Sequence, residues 1–216
     1  MGYFKLNEQT TTDFSSKNIT NLYNNAYLFG RPKKGYMYQT RSLRIDISKF
    51  KLSSENKRIL RKTEILKYTI KDIPYEAYSW KIGKLAKDFY STKFGDGTFS
   101  ANKIKELLTT DHNFNKFFVY SIEDNNIGYA ICYENKNILH YSYPFYDLKT
   151  EIKNIGMSMM LNAIDYAKKQ NKQYIYLGSA TRPRDVYKLQ FEGLKWFDGE
   201  KWEEDLEKLK KILHKI

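Results

Sequence analysis

Residues 116–145 decide the fold. They read Lys116-Phe117-Phe118-Val119-Tyr120-Ser121, a polar break at Glu123-Asp124-Asn125-Asn126, then Ile127-Gly128-Tyr129-Ala130-Ile131-Cys132-Tyr133. A second break follows at Glu134-Asn135-Lys136-Asn137, and a third run spans Ile138 to Phe145. β-Branched and aromatic residues fill the three runs, and both breaks are short and polar, so the stretch predicts an antiparallel meander of three strands. Downstream the period changes. Met157, Met160, Leu161, Ile164 and Ala167 recur at helical spacing and predict a helix with one face on the sheet. Gln173 to Gly178 predicts the next strand, parallel to the third because a helical crossover joins them. A last strand near Gly193 to Phe197 turns at Asp198-Gly199. The C-terminal helix is expected to hold Glu203 and Glu204 in its first turn and lysines towards its end, as the helix dipole favours.

Upstream, residues Met1 to Phe14 read as poorly ordered or lightly packed. A short helix is expected from about Thr20 to Phe29, ended by Gly30, followed by the basic turn Gly30-Arg31-Pro32-Lys33-Lys34-Gly35. Tyr36 to Ile47 alternates apolar and polar residues and predicts one extended segment. Ser53 or Ser54 caps a helix carrying Lys57, Arg58, Arg61 and Lys62. Further helices are expected at Tyr75 to Tyr90 and Ala101 to Leu108, the second capped by Ser100. The expected class is α+β, a mixed and mostly antiparallel sheet flanked by helices. Three antiparallel strands, a helix, a parallel strand, a helical or irregular segment and a final strand is the order of a GNAT-like acyltransferase core. Residues 1–72 are read as a basic, extended N-terminal region packed on it, and 73–216 as the acyltransferase domain.

Bulk properties narrow the function. At 216 residues and 41% apolar composition, the chain can bury a real core. Its net charge of +12 is spread along the sequence and points to a polyanionic partner, although a lysine-rich surface accounts for part of it. The single cysteine, Cys132, can form neither an intrachain disulfide nor a Cys-rich zinc site. His112, His140 and His214 lie far apart without ligand spacing, so no metal is expected. There is no apolar run of signal-peptide length at the N-terminus and none near the ~20 residues of a membrane span, so a cytoplasmic protein with no membrane contact is expected.

Two segments carry a family resemblance. The first holds Lys33-Lys34-Gly35, the aromatic strand Tyr36-Met37-Tyr38-Gln39, the run Leu43-Arg44-Ile45-Asp46-Ile47, Phe50, and Ser53 with Lys57-Arg58. The second holds Phe145-Tyr146-Asp147, Ile155-Gly156, Tyr174-Ile175-Tyr176-Leu177-Gly178, and Tyr187-Lys188 followed by Phe191. In order and spacing these resemble the arginyl-tRNA–protein transferases and their bacterial relatives, the aspartate/glutamate leucyltransferases. In many members a cysteine cluster separates the aromatic strand from the Arg-containing run. Here no Cys lies between Tyr38 and Arg44, so no metal or iron–sulfur site is carried over and no cofactor is expected.

The reaction the resemblance implies moves an amino acid, Arg or Leu, from the ribose ester of charged tRNA to the N-terminal amine of a protein or peptide whose first residue is acidic. The ester is already activated and an α-amine has a pKa of about 7.7–8.0, so the harder tasks are positioning and oxyanion stabilisation. Asp147, with Tyr146, is placed to bind or deprotonate the incoming ammonium. Tyr187 is the candidate proton donor to the leaving ribose oxygen. Backbone amides near Tyr146-Asp147 and at the helix beginning near Gly156 are the candidate oxyanion or 3′-end donors. The acidic acceptor needs a cation, and Arg suits a carboxylate best. Arg44 is favoured over Arg41, Arg182 and Arg184 because it lies in the matched motif. Tyr38, Gly156, Gly178 and Lys188 complete the expected substrate-binding set. Lys33, Lys34, Lys57, Arg58, Arg61 and Lys62 suit an RNA backbone, and Tyr36 and Tyr38 a terminal base. Asp46, Asp147 and Glu192 are each possible partners for an arginyl donor.

Two other readings compete. A CoA-dependent N-acetyltransferase of the same fold needs a pyrophosphate-cradling loop ahead of the helix. Lys153-Asn154-Ile155-Gly156-Met157-Ser158 keeps one glycine and one small residue of it and lacks the usual first and last positions. A non-catalytic RNA-binding or peptide-binding relative is the other.

Overall fold

The computed structural model describes residues 4–215. In chain order the elements are β1 (Asn7–Thr10), α1 (Ser16–Asn24), β2 (Tyr27–Phe29), β3 (Tyr36–Gln39), β4 (Ser42–Asp46), α2 (Ser54–Lys62), β5 (Leu66–Asp72), α3 (Trp80–Phe94) and α4 (Ala101–Thr109). Then come β6 (Lys116–Ile122), β7 (Asn125–Glu134), β8 (Ile138–Tyr146), α5 (Ile155–Lys169), β9 (Tyr174–Ser179), a 3-10 helix (Pro183–Gln190), β10 (Leu194–Phe197), β11 (Trp202–Glu203) and α6 (Leu206–His214). The succession β6, β7, β8, α5, β9, 3-10 segment, β10 is that of a GNAT-like acyltransferase core, with the meander and the helical crossover where the sequence places them. β8 and β9 are parallel, pairing at Ile138↔Tyr174, Leu139↔Ile175 and His140↔Tyr176. Their ladder stops there, although β8 continues to Tyr146 and β9 to Ser179.

The chain forms two compact units interleaved in sequence. One comprises Met1–Ser54, Glu134–His140 and Ile164–Ile216, and the other Glu55–Tyr133 and Tyr141–Ala163. The first holds the small sheet β1-β3-β2 and the strand order β11-β10-β4-β9 followed by the start of β8. Its core includes Tyr23, Met37, Ile45, Tyr176 and Trp196, each at most 1% exposed. The second holds the remainder of β8 with β7, β6 and β5. There Phe117 and Tyr129 stack across the β6–β7 ladder at 5.2 Å. The buried Tyr120 hydroxyl donates to the Met159 carbonyl of α5 at 2.9 Å. A buried pair, Thr63 Oγ1 and Ser158 Oγ at 2.7 Å, ties the residue after α2 to the first turn of α5.

Several expectations need correction. The helix expected to reach Phe29 stops at Asn24, because Ala26 takes a left-handed φ of 63° and Tyr27–Phe29 pairs antiparallel with β3. Within the expected poorly ordered start, Asn7–Thr10 is a strand paired to Tyr36–Gln39; residues 1–3 lie outside the described part. The single extended segment of 36–47 is two strands in different sheets, broken where the Ser42 N–H turns back to the Thr40 carbonyl at 2.7 Å. Helix α3 runs Trp80–Phe94 rather than from Tyr75. The Tyr75 N–H is spent on the Leu108 carbonyl, and Gly95 at φ 97° ends the helix later than expected. β5 had no counterpart in the reading. Glu203 lies in β11 and Glu204 precedes α6, whose cap is Asp205 accepting from the Lys208 N–H. Ser100 caps α4 as expected, accepting from the Lys103 N–H at 3.2 Å. Among the described residues no helix is long and apolar enough to cross a membrane.

Candidate active site

In the second unit the end of β8 meets the start of α5. Gly156, the second residue of α5, lies under the Tyr146 ring: a Cβ there would come within 3.0 Å of the ring. Gly128 is equally crowded by Tyr146 Cβ at 3.2 Å and by Met159 Sδ at 3.0 Å. Phe89 packs on the Tyr146 ring at 4.9 Å. The two glycines therefore let β7, the Tyr146 ring and α5 approach closely. The first helical hydrogen bond of α5 is made by the Ser158 N–H to Asn154 O, so the N–H groups of 155–157 precede the ladder and form the donor end of the helix. Asp147 follows Tyr146. Its backbone N–H donates to Ile127 O at 2.8 Å, and its Oδ1 accepts from the Lys149 N–H at 2.9 Å, a turn-capping bond that fixes the carboxylate at the strand end.

In the first unit Arg44 is buried, 8% exposed. Its guanidinium is sandwiched between the Tyr174 ring at 4.0 Å and the Trp202 ring at 3.9 Å. Nη1 donates to Asn24 Oδ1 at 3.3 Å, and Nε is buried with no hydrogen-bond partner. No carboxylate pairs with Arg44 among the described residues. In the sheet Arg44 lies opposite Tyr176 on β9, with an irregular register between Ser42 and Arg44, and Gly178 of β9 takes a φ of 76° there. That conformation is the reason for glycine at a bulge. Tyr176 is pushed up to about 12, chiefly by burial, with the Arg44 charge pulling the other way. Arg41 lays its guanidinium over the Phe4 ring at 3.8 Å and has a buried Nη1 without a partner.

The 3-10 helix alternates its two motif residues. Tyr187 is exposed at 45%, so it is not a core tyrosine. Lys188 turns inward: its Nζ donates to Ser179 O at 2.9 Å and stands 3.7 Å from Asp185 Oδ1. Asp185 in turn accepts from the Thr181 and Arg182 N–H groups, both at 2.9 Å. His140, unused in the sequence reading, is buried here, with Nδ1 2.9 Å from the Tyr23 hydroxyl. Burial first, and the nearby Lys188 charge second, push His140 down to about 3.

Of the expected RNA contacts, Lys33 and Lys34 are exposed, with Lys34 Nζ 5.1 Å from the Phe14 ring centroid. Lys57, Arg61 and Lys62 are exposed on α2. Arg58 is engaged by Glu55, its Nε 2.6 Å from Oε2. Tyr36 and Tyr38 lie half-buried on one face of β3 with rings 6.3 Å apart, while Met37 between them is fully buried. Tyr36 donates to Glu8 and accepts from Lys5, both at 2.7 Å. Asp46 spends Oδ1 on the Ser48 hydroxyl and N–H. An open depression of about 490 Å³, lined in part by Lys49, Lys51, Phe191 and Glu204, includes Glu192, one of the possible partners for an arginyl donor, and none of the other candidate residues. Among the described residues no group of three or more His, Cys, Asp or Glu is placed to hold a metal ion. The aromatic walls of Arg44 escaped the sequence reading. No local pattern links that arginine to Tyr174, Trp202 and Asn24, which come from three separate parts of the sequence.

Comparison with known proteins agrees with these motifs. The family model described as arginine-tRNA-protein transferase, C terminus, matches residues 75–198, more than half of the chain. The aspartate/glutamate leucyltransferase of Saccharophagus degradans is 24% identical over 170 residues, covering 74% of this chain and 69% of that protein. That of Pseudomonas putida strain KT2440 is 24% identical over 164 residues, covering 74% and 68%. Among solved structures, L-PGS from Bacillus licheniformis superposes with a TM-score of 0.49 at 13% identity, over 76% of this chain and 52% of that one. FemX superposes with a TM-score of 0.49 at 10% identity, over 76% and 60%. The chain belongs to the arginine-tRNA-protein transferase family of tRNA-dependent aminoacyltransferases.

Proposed function

We propose that this protein acts in the cytoplasm and transfers leucine from charged tRNA to the α-amine of proteins or peptides that begin with Asp or Glu. The observation that carries the acceptor class is Arg44. A buried guanidinium walled by two rings, with an unpartnered Nε and no carboxylate of its own, is a receptor waiting for an anion. A side-chain carboxylate would supply the missing charge and hydrogen bond. Leucine is favoured over arginine as the donor because the similar curated proteins are aspartate/glutamate leucyltransferases.

In this reading the acceptor amine, unprotonated, attacks the ester carbonyl carbon. The C–N bond forms as the carbonyl π pair moves to oxygen, and N–H groups at the start of α5 stabilise the oxyanion. When the tetrahedral intermediate collapses, the C–O bond to the ribose breaks and the ribose oxygen takes a proton. Asp147 binds the incoming ammonium and relays the proton it loses. Tyr187, exposed on the 3-10 helix, donates to the leaving oxygen. Tyr146 and Gly156 keep the β8 end and the α5 start in register. Gly178 and the inward Lys188 hold the β9 end and the 3-10 helix that presents Tyr187. Lys33, Lys34, Lys57 and Arg61 contact the RNA backbone, and Tyr38 and Arg41 flank the substrate.

The test is transfer of labelled leucine, with arginine as competitor, from charged tRNA to peptides differing only in their first residue. Wild type is expected to label Asp and Glu peptides and to spare Ala peptides. Arg44→Gln is expected to lower kcat/KM for acidic peptides roughly 30-fold or more, while leaving tRNA binding intact, because it removes a charge-assisted pair. Tyr187→Phe is expected to lower kcat about a hundredfold at unchanged KM. Equal labelling of Asp and Ala peptides by wild type would sink the acceptor assignment, and full activity of Tyr187→Phe would remove the proton-donor role. Acetyl transfer from acetyl-CoA to the same peptides, with none from tRNA, would replace the reading by its CoA-dependent rival.

A further inference from the structure

Helix α3 carries on its outer face a large aromatic side chain that the fold does not use. Trp80, its first residue, is 68% exposed. It has no ring, hydrogen-bond or ion-pair partner among the described residues. Positions 80, 84, 87 and 91 share one helical stripe, and it lies opposite the buried Ile82, Ala86 and Phe89. Trp80 thus points away from the core that the helix covers. Behind it on the same stripe stand Lys84 and Lys87, both exposed, with the exposed Lys81 alongside. The helix holds four lysines, Lys81, Lys84, Lys87 and Lys93, against one acid, Asp88. The pair Lys84–Asp88 is exposed on both sides, 61% and 55%. Such a pair is weak and screened, and a phosphate exchanges for it readily.

An exposed indole costs free energy that a merely solvated face would avoid, and lysines that start about one turn behind it form a repeating positive row. Aromatic rings interleaved with cations are what an unpaired nucleotide strand requires: the ring takes a base face and the cations take the phosphates on either side. The positive charge disfavours a basic or apolar protein surface as occupant and favours a polyanion. We propose that the Trp80–Lys84–Lys87 face of α3 binds the RNA of the aminoacyl-tRNA, with Trp80 stacked on an unpaired base and the lysines on neighbouring phosphates. This rests on the tRNA-dependent reading above and adds to it a contact surface within residues 75–198 that none of the family-like motifs includes.

The experiment compares wild type with Trp80→Ala, Trp80→Phe and the double variant Lys84→Gln/Lys87→Gln. All three replace exposed side chains, and unchanged thermal melts establish that the fold is kept. Binding of leucylated tRNA is titrated across a salt series, and transfer to an Asp-initiated peptide is followed in parallel. Trp80→Ala is expected to weaken tRNA binding roughly tenfold, and Trp80→Phe to restore most of it, since the ring and not the indole N–H makes the contact. The double lysine variant is expected to reduce the slope of log affinity against log salt by about one to two. The KM for the acceptor peptide, and kcat at saturating tRNA, should stay at wild-type values. If wild type binds and transfers normally while all three variants match it, this surface is not the RNA contact and the enzymatic reading stands. If Trp80→Ala raises the peptide KM and leaves tRNA affinity alone, the face reads protein and the proposal is overturned. If wild type neither binds tRNA nor transfers, both readings fall.

Discussion

Burial acts in opposite ways on Arg44 and His140. A guanidinium keeps its proton in proteins, so burying Arg44 forces the fold to supply two aromatic faces and Asn24 in place of water. An imidazole can shed its proton, and His140 does so, with burial and then Lys188 pushing it down to about 3. The Tyr23 hydroxyl accepts from the Phe29 N–H at 3.3 Å and stands 2.9 Å from His140 Nδ1, so the neutral ring keeps a buried hydrogen-bond partner. The consequence for stability has a definite sign. An unfolded histidine titrates near 6.5, and the folded one is lowered, so the unfolded chain takes the proton first. The contribution of the neutral ring is complete above about pH 6.5 and is lost as pH falls from there towards 3, at up to about 1.4 kcal/mol per unit. Urea unfolding of wild type and His140→Gln at pH 7.5, 6.0 and 5.0 should show the wild type losing more stability over that range than the variant. Parallel slopes for the two proteins would mean that His140 takes no part in acid unfolding.

At the level of elements, what could be read beforehand depended on how locally each element is specified. The meander needed only its own residues: alternating apolar runs and polar breaks specify β6, β7 and β8 wherever they pack, and the helical repeat from Met157 specifies α5. Ser100 likewise caps α4 with its own hydroxyl. β5 was missed because its residues, Leu66-Lys67-Tyr68-Thr69-Ile70-Lys71-Asp72, carry the charges of an outermost strand, and its identity rests on seven pairings with β6. The break of 36–47 at Thr40 was missed for a related reason, since both halves alternate alike and only their partners, β1 and β2 for one and β9 and β10 for the other, separate them. The candidate site follows the same rule. Tyr146 and Gly156 were legible as separate motifs, and the packing of the ring on the glycine is a feature of the fold. The cage of Arg44 could not, because Tyr174, Trp202 and Asn24 reach it from three separate parts of the sequence.

For the molecule as a whole, the proposed function gives the charge of +12 and the buried arginine two different electrostatic tasks that salt distinguishes. The exposed cations Lys33, Lys34, Lys57, Arg61 and Lys62 would meet phosphates through water, and each contact formed releases condensed counterions. These roughly five contacts by themselves should contribute a slope of about −4 to the fall of log affinity for tRNA against log salt. Raising monovalent salt from about 50 to 200 mM should then weaken tRNA binding by at least a few hundredfold. The proposed acceptor contact at Arg44 would be shielded from bulk ions by the rings on both faces of the guanidinium, so the preference for Asp over Ala peptides, measured at saturating tRNA, should change less than about threefold across the same range. Steep salt dependence of the tRNA term beside a flat acceptor preference would match a surface that collects RNA by charge and a buried cation that selects the peptide. Equal sensitivity of the two would place the acceptor's carboxylate on an exposed lysine or arginine instead, and Arg44 would then be a packing residue of its sheet.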